Sequence, residues 1–191
     1  MLEKLPSGLG RALGALRTGE DKLLFRDGAV TGISETITVS SPAFADGGAI
    51  PVRYTADGEG LSPPLAWSGV PPEAAALMLV IEDADSPTPQ PLVHAIVWNL
   101  PPGDGGIAEG ALPGPQGAAA GFAMGRNSLL APKYLPPDPP PGHGPHRYAF
   151  QLYAVDMAPT LEGTPGRGEV VWALRSHVLA KGCLIGTYER D

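Results

Sequence analysis

The stretch LMLVIEDADSPTPQPLVHAIVWNL, Leu77–Leu100, decides the fold of this chain. It contains two apolar runs, each long enough for a buried strand, and a polar loop with several prolines separates them. Three ionisable residues stand at the edges of that loop: Asp83, Asp85 and His94. Because charged side chains are seldom buried without a partner, their position at the ends of two apolar strands predicts a functional site rather than core.

A second stretch, PDPPPGHGPHRYAFQLYAVD (Pro137–Asp156), repeats this layout. Its prolines and glycines predict a stiff loop that leads into an apolar strand and forms a preorganised wall of a small pocket. His146 and Tyr148 stand at the junction, and strand alternation places them on one face with Phe150 and Leu152. We interpret the chain as a scaffold that brings the two junctions together.

Pairing the two runs of the first stretch as a hairpin predicts their register. A hairpin centred between Thr88 and Pro89 places Asp83 opposite His94. At about 5 Å, a carboxylate raises the pKa of an imidazole and fixes its tautomer. The apolar residues then form two opposed pairs, Ile81 with Ile96 and Leu79 with Trp98. By alternation, the face that carries His94 also carries Leu92, Ile96 and Trp98.

The two histidines, two aspartates and one tyrosine at these junctions allow three kinds of chemistry. Protonated imidazoles and the Tyr148 hydroxyl offer donors to an anion. Neutral imidazoles together with an aspartate could serve as the facial ligands of a metal. With a nucleophile added, the same groups form an acid–base pair. In a purely structural alternative, each histidine only satisfies hydrogen bonds at a strand end. A pair of histidines beside an Asp-x-Asp sequence instead favours a functional site.

Composition excludes several classes of protein. The chain has 191 residues and a formal net charge of −7 with only 13 basic residues, so the basic patch of a nucleic-acid-binding protein is missing. The single Cys183 rules out an intrachain disulfide. No apolar run reaches the roughly 20 residues that span a bilayer, and the N-terminus lacks the continuous apolar region of a signal peptide. We therefore expect a cytoplasmic protein.

The order of elements predicts a mainly β protein. Residues 1–35 form an N-terminal extension in which leucines recur at helical spacing, so we predict an amphipathic surface helix, with a homodimer contact as the second hypothesis. Residues 36–191 form one domain, an antiparallel β-sandwich with one C-terminal helix. The further predicted elements are strands at Thr36–Ser40, Ile50–Thr55 and, at a sheet edge, Leu65–Trp67, either a short strand or a helical turn within Gly121–Ser128, a strand over Arg147–Val155, a helix over 167–181 that Gly182 ends, and a strand over 183–188.

Four motifs in this order resemble the phosphatidylethanolamine-binding proteins, also called Raf kinase inhibitor-like proteins, and especially the bacterial YbhB/YbcL type. The motifs are YTADGEGLSPPLAWSGVP, IEDADSP followed by His94, PPPGHGPHRYAFQLYAVD, and HVLAKGCLIGTYER. The resemblance runs from about Ser40 to Arg190. It implies a β-sandwich whose pocket binds a small anion such as phosphate or a phospholipid head group.

The resemblance also implies roles for particular residues. The ligand-binding set would be Asp83, His94, His146 and Tyr148, with Pro139 and Pro140 at the rim. Asp85 would hold the loop rather than touch the ligand, and the Ser86–Pro87 peptide would be cis. Four positions depart from the family pattern: Val93, Leu135, Pro136 and Asp138. A carboxylate at Asp138, near the mouth, would repel anions.

These observations predict a non-enzymatic protein that binds a small anionic or phosphorylated ligand, with no cofactor and no resident metal. The alternative is a hydrolase or metal-dependent enzyme that uses the Asp83, His94 and His146 cluster. A third hypothesis is a regulatory protein whose partner is a kinase or protease and whose pocket binds a phosphorylated side chain.

Overall fold

The computed structural model describes residues 16–113 and 122–190 together with Gly8, Arg11, Ala12 and Gly14. Within 16–113 and 122–190, the chain forms two β-sheets, one α-helix and short 3-10 turns. The strands are β1 (Thr38–Ser40), β2 (Gly48–Ala49), β3 (Leu65–Ser68), β4 (Ala76–Asp83), β5 (Leu92–Leu100), β6 (Gly105–Ile107), β7 (Ala123–Gly125), β8 (His146–Val155) and β9 (Val178–Tyr188), and the helix α1 is Arg167–Leu174.

The strands form a six-stranded sheet in the order β2-β9-β8-β4-β5-β7 and a three-stranded sheet in the order β1-β3-β6. Neighbouring strands run antiparallel, except that β2 pairs with β9 in parallel. The predicted mainly β sandwich with a late helix is confirmed, and so is the strand predicted from Arg147 to Val155. Of the two alternatives for Gly121–Ser128, the structure shows a short strand, β7.

The large sheet is covered on both faces, which explains why β4 is buried along its whole length. Because side chains alternate, Leu77, Leu79 and Ile81 face the small sheet, whereas Met78 and Val80 face the opposite way. The first face packs against apolar residues of the small sheet, which include Val39, Leu65, Trp67 and Ile107. The second packs against helix α1 and two short 3-10 turns, through Leu24, Phe25, Val30, Val170 and Leu174.

One predicted strand and one predicted position in a sheet were wrong. Ile50–Thr55 is not a strand: Pro51 caps a 3-10 turn at Val52–Tyr54, whose Val52 side chain is exposed. Leu65–Trp67 is a strand, but β3 lies in the middle of its sheet, paired by β1 on one side and β6 on the other. The prolines that predicted an edge position precede β3, so they remove no donor from its ladder.

The predicted helix over 167–181 was too long. Helix α1 ends at Leu174, Ser176 takes a left-handed conformation with φ of 62°, and β9 begins at Val178. Val178 pairs with Val155 of β8 instead of extending the apolar face of the helix. Pairing with a long buried strand therefore overrides the local helical pattern.

The N-terminal extension contributes to the core in its described part. Residues 20–30 form three 3-10 turns, Glu20–Lys22, Leu24–Arg26 and Gly28–Val30, and Leu23, Leu24 and Phe25 are buried. Of the leucines that predicted an amphipathic helix, those at positions 2, 5, 9 and 13 lie outside the described residues, and Leu16 is exposed and not helical. That helix, its dimer contact and the division at residue 35 stay predictions. Among the described helices, none has the length and apolar character that crossing a membrane requires.

Candidate functional site

A pocket of about 480 Å³ opens at the edge of the large sheet, where β4 ends and where β5 and β8 begin. Its wall combines the two junctions that the sequence singled out with two further loops. The lining residues are Ala56, Gly58, Glu59, Gly60, Asp83, Ser86, Pro87, Leu92, His94, Leu129, Leu135, Pro136, Asp138, Pro140 and His146. The structure therefore brings Asp83, His94 and His146 together, from three neighbouring strands, around one concavity.

The pairing of β4 with β5 differs from the predicted register. Asp83 lies opposite Leu92, not opposite His94. The next pairs are Glu82 with Val93 and Ile81 with Ala95, so His94 has no paired residue on β4. His94 is therefore the extra residue of a β-bulge, and a second irregularity lies nearer Leu100.

This bulge decides which way His94 points. Ile96 and Trp98 belong to the core on the helix side of the sheet, whereas His94 and Leu92 line the pocket at the other face. The predicted common face of His94 with Ile96 and Trp98 is therefore wrong. A bulge inserts one residue and redirects the following side chains, which is how one strand supplies both core residues and a pocket residue.

The His94 ring is buried and keeps one nitrogen without a partner. Nδ1 lies 2.6 Å from the carbonyl oxygen of Leu135, and because a carbonyl only accepts, Nδ1 donates. Nε2 has no hydrogen-bond partner among the described residues. Burial lowers the pKa of His94 below its ordinary value of 6.5, and the nearby Asp83 carboxylate only partly offsets this. At neutral pH the ring is therefore uncharged, and Nε2 presents a lone pair.

Asp83 pairs with His146 instead of His94. Its Oδ2 lies 2.7 Å from Nδ1 of His146, and its Oδ1 accepts from the backbone N–H of Asp85 at 2.8 Å. Nε2 of His146 lies 2.7 Å from Nδ1 of His143. Both nitrogens of His146 are thus already engaged, in a buried chain of three side chains, and His94 carries the unsatisfied ring nitrogen.

The remaining members of the predicted binding set lie at different distances from the pocket. Tyr148 lies outside the pocket lining, buried beneath the two histidines and edge-on to His94 with ring centroids 5.1 Å apart. Within the part of the chain that the structure describes, its hydroxyl has no hydrogen-bond partner. Burial raises the pKa of this hydroxyl well above its ordinary value, so it stays protonated. Pro140 lines the pocket, whereas Pro139 lies outside the lining and its carbonyl accepts from Nη1 of Arg190 at 2.9 Å.

The loop after β4 is held by buried ionic and hydroxyl contacts. Asp85 is fully buried and accepts from Arg147 through the backbone N–H at 2.9 Å and Nε at 2.7 Å, and Nη1 of Arg17 lies 2.9 Å from its Oδ1. The Thr18 hydroxyl donates to the carbonyl oxygen of Ser86 at 2.9 Å. Ser86 and Pro87 line the pocket, but no peptide bond among the described residues is cis, so the predicted cis Ser86–Pro87 peptide is wrong.

The Asp85 contacts predict a loss of stability in acid. Burial raises the pKa of Asp85, but hydrogen bonds from Arg147 and Arg17 outweigh it and hold the pKa at about 2, below the ordinary 3.8. Because the folded-state pKa is depressed, this stabilisation is complete above pH 3.8 and is lost as the pH falls toward 2. We expect the difference in unfolding free energy between the native protein and Asp85→Asn to shrink across this window. Urea titrations at several pH values measure it, and a constant difference would contradict the assignment.

A family model for phosphatidylethanolamine-binding proteins matches residues 40–189 of this chain. The chain belongs to the phosphatidylethanolamine-binding protein family. A UPF0098 protein of Methanothermobacter thermautotrophicus is 40% identical over 154 residues, which cover 81% of this chain and 99% of that protein. A UPF0098 protein of Mycobacterium tuberculosis is also 40% identical, over 83% of this chain and 73% of its own length. The resemblance seen in the sequence is thereby confirmed.

Solved structures of the phosphatidylethanolamine-binding protein family share the fold. A homologue from Chlamydia trachomatis, CT736, superposes with a TM-score of 0.74 at 36% identity, over 83% of this chain and all of that one. YbcL of E. coli, described as a member of the mammalian family, gives the same TM-score at 24% identity and covers 82% of this chain, and at that identity it supports the fold alone.

Some residues that shape the pocket of this family member were not singled out from the sequence. His143 is the last member of the hydrogen-bonded series that starts at Asp83 and passes through His146. In the sequence, its three-residue spacing from His146 was the feature that could have indicated this contact. Arg17 and Thr18 precede the residues that the family model matches, and they bind a loop more than 60 positions away, so no local pattern revealed them. Arg190 pairs with Asp138 at 2.8 Å, so the carboxylate expected to repel anions has a cation beside it.

The described residues give no ready-made metal centre. No group of three or more His, Cys, Asp or Glu side chains within 16–113 and 122–190 is arranged to hold an ion. Cys183 is remote from the pocket, and burial raises the pKa of its thiol to about 12, so it stays protonated.

Proposed function

We propose that this protein binds a small oxoanion or a phosphorylated ligand in the pocket, without catalysing a reaction. The observation that carries the proposal is the unpaired Nε2 of His94, in a ring that lines the pocket with 3% of its surface exposed. A buried polar atom without a partner costs free energy, so a group that supplies the missing hydrogen bond gains that free energy on binding. The Tyr148 hydroxyl directly behind His94 is a second such atom.

The size of the pocket supports a ligand larger than a bare ion. A volume of about 480 Å³ falls in the range of small-molecule sites. Polar groups lie at the inner end, at Asp83, His94 and His146, whereas the rest of the wall is largely apolar. The apolar side chains come from Ala56, Pro87, Leu92, Leu129, Leu135, Pro136 and Pro140. A phosphorylated compound, with its polar end on His94 and its body against the apolar wall, matches this division.

The hydrogen bonds argue against a hydrolase with His146 as base. His146 has both ring nitrogens engaged, so it cannot take a proton from a substrate without breaking one of these bonds. The Ser86 hydroxyl lies 2.8 Å from the Thr88 hydroxyl and accepts from the backbone N–H of Leu92, and neither group is a base that could activate it. Inhibition of a kinase or protease would require the phosphorylated group to belong to a partner protein, and phosphopeptides therefore belong among the ligands to be screened.

Replacing His94 by alanine is expected to abolish stabilisation by phosphate. In the native protein, inorganic phosphate at one hundred times its Kd should add about 2.7 kcal/mol of stability, seen as a higher melting temperature. His94→Ala removes the unpaired nitrogen and should show no such shift. His177→Ala is the matched control, because His177 is exposed and pairs with Asp156 far from the pocket. An unchanged phosphate shift in His94→Ala would sink the proposal.

A further inference from the structure

The charges around the pocket are unusual for an anion site. Three carboxylates belong to the lining, those of Glu59, Asp83 and Asp138, and no Lys or Arg side chain does so among the described residues. The nearest guanidinium groups approach two of these carboxylates from outside the lining: Arg53 contacts Glu59 at 3.0 Å and Arg190 contacts Asp138. A fully deprotonated oxoanion would thus meet acceptors without a permanently charged donor.

The hydrogen-bonding groups of the inner wall also offer little to a fully deprotonated oxoanion. Nδ1 of His94 is committed to the Leu135 carbonyl, so the neutral ring can only accept at Nε2. The ring nitrogens of His146 are engaged, as described above, and the Ser86 hydroxyl has partners within its own loop. Among the described residues, His94 Nε2 is therefore the unpaired buried side-chain atom of the lining and acts as an acceptor, and the Tyr148 hydroxyl behind the lining is the unpaired group next to it.

On the basis of the proposed function, we propose that the pocket selects oxoanions that still carry a hydrogen over fully deprotonated ones, because His94 Nε2 accepts that hydrogen. Hydrogen phosphate meets this requirement in neutral and mildly alkaline solution. A phosphate monoester meets it only as the monoanion, below its second pKa of about 6. Sulfate, with the same charge and nearly the same shape as hydrogen phosphate, has no hydrogen to donate. The ligand class is thus defined by a single hydrogen bond.

The surroundings of His94 set the pH dependence of this selection. Asp83, His146, Asp138 and Tyr148 are the titratable groups that face the ring, and Arg190 lies behind Asp138. In acid, His94 takes up a proton and Nε2 becomes a donor, so sulfate gains a partner. The preference for hydrogen phosphate should therefore be large in mildly alkaline buffer and should narrow in acid.

The test is isothermal titration of the full chain with phosphate and with sulfate, in mildly alkaline buffer and at matched ionic strength. We expect phosphate to bind at least about tenfold more tightly, a difference of about 1.4 kcal/mol. In His94→Gln, the side-chain amide can turn to donate or to accept, so the two anions should bind with Kd values within about threefold of each other.

The outcomes separate this inference from the proposed function. Tighter binding of phosphate that His94→Gln abolishes supports both. Equal binding of the two anions, or tighter binding of sulfate, would overturn the selection and leave an oxoanion site. Binding of neither anion would overturn the proposed function and the selection with it.

Discussion

Glu82→Ala is expected to lower the free energy of unfolding by about 3–5 kcal/mol, the usual cost of removing one partner from a buried ion pair. Glu82 is fully buried on the helix side of β4 and accepts from Nε of Arg167 at 2.7 Å and from the backbone N–H of Leu24 at 2.8 Å. Nε2 of Gln151 donates to it at 3.0 Å. Alanine would leave the Leu24 N–H and the Gln151 amide buried without their shared acceptor and would remove the carboxylate from the partly buried Arg167, which keeps its bond to the Lys22 carbonyl oxygen.

Urea denaturation of purified variants measures this loss. Glu82→Gln keeps an acceptor oxygen of similar shape and should lose less stability than Glu82→Ala, which separates the hydrogen bonds from the charge. Glu169→Ala is the matched control, because Glu169 also pairs with an arginine, Arg126 at 2.7 Å, but at an exposed position where we expect little change. Equal losses in Glu82→Ala and Glu169→Ala would show that the buried network does not hold the N-terminal turns on the sheet.

Arg17→Ala is expected to weaken phosphate binding by at least about tenfold, although Arg17 does not line the pocket. Its guanidinium donates to the carbonyl oxygens of Pro145 at 2.7 Å and His143 at 2.8 Å, and it also contacts Asp85. Arg17 therefore ties the loop after β4 to the loop before β8, and these two loops adjoin Asp83, the last residue of β4, and His146, the first residue of β8. Without this tie, the two junctions lose their fixed separation, and small displacements in a preorganised site are costly.

The measurement compares the phosphate Kd and the melting temperature of each variant. Arg17→Lys keeps the charge but not the planar fork that reaches three acceptors, so it should lose most of the affinity as well. Arg26→Ala is the control, because Arg26 pairs with Glu35 at 3.4 Å on the surface. Native affinity in Arg17→Ala would show that the remaining contacts of the loops position the site by themselves.

Simple alternation predicted most of the large sheet. Tyr148, Phe150 and Leu152 lie in one core cluster, as a strand over Arg147–Val155 requires, because a long strand buried on both faces leaves few alternatives. Short elements were less predictable. Val52–Tyr54 has the local sequence pattern of a strand but forms a 3-10 turn. Helix α1 ends early and β9 begins, because pairing with β8 outweighs the local preference for a helix.

In the site as well, long-range contacts could not be predicted from the local sequence. Sequence reasoning identified Asp83, His94 and His146 but paired the wrong two, because the bulge at His94 has no signature in a single sequence. Arg17 and Arg190 lie far along the chain from the residues they contact, so only the folded structure brings them to the pocket. The meeting of these three residues in one pocket was predictable, whereas their hydrogen-bond partners were not.

The most direct test of the central claim is an NMR titration of the histidine ring signals with inorganic phosphate. We predict that the His94 signals shift and saturate with phosphate, with Nε2 as the most strongly affected nucleus, while those of His177, on the far side of the molecule, stay in place. Signals of His94 that do not move at high phosphate concentration would contradict an oxoanion site in this pocket.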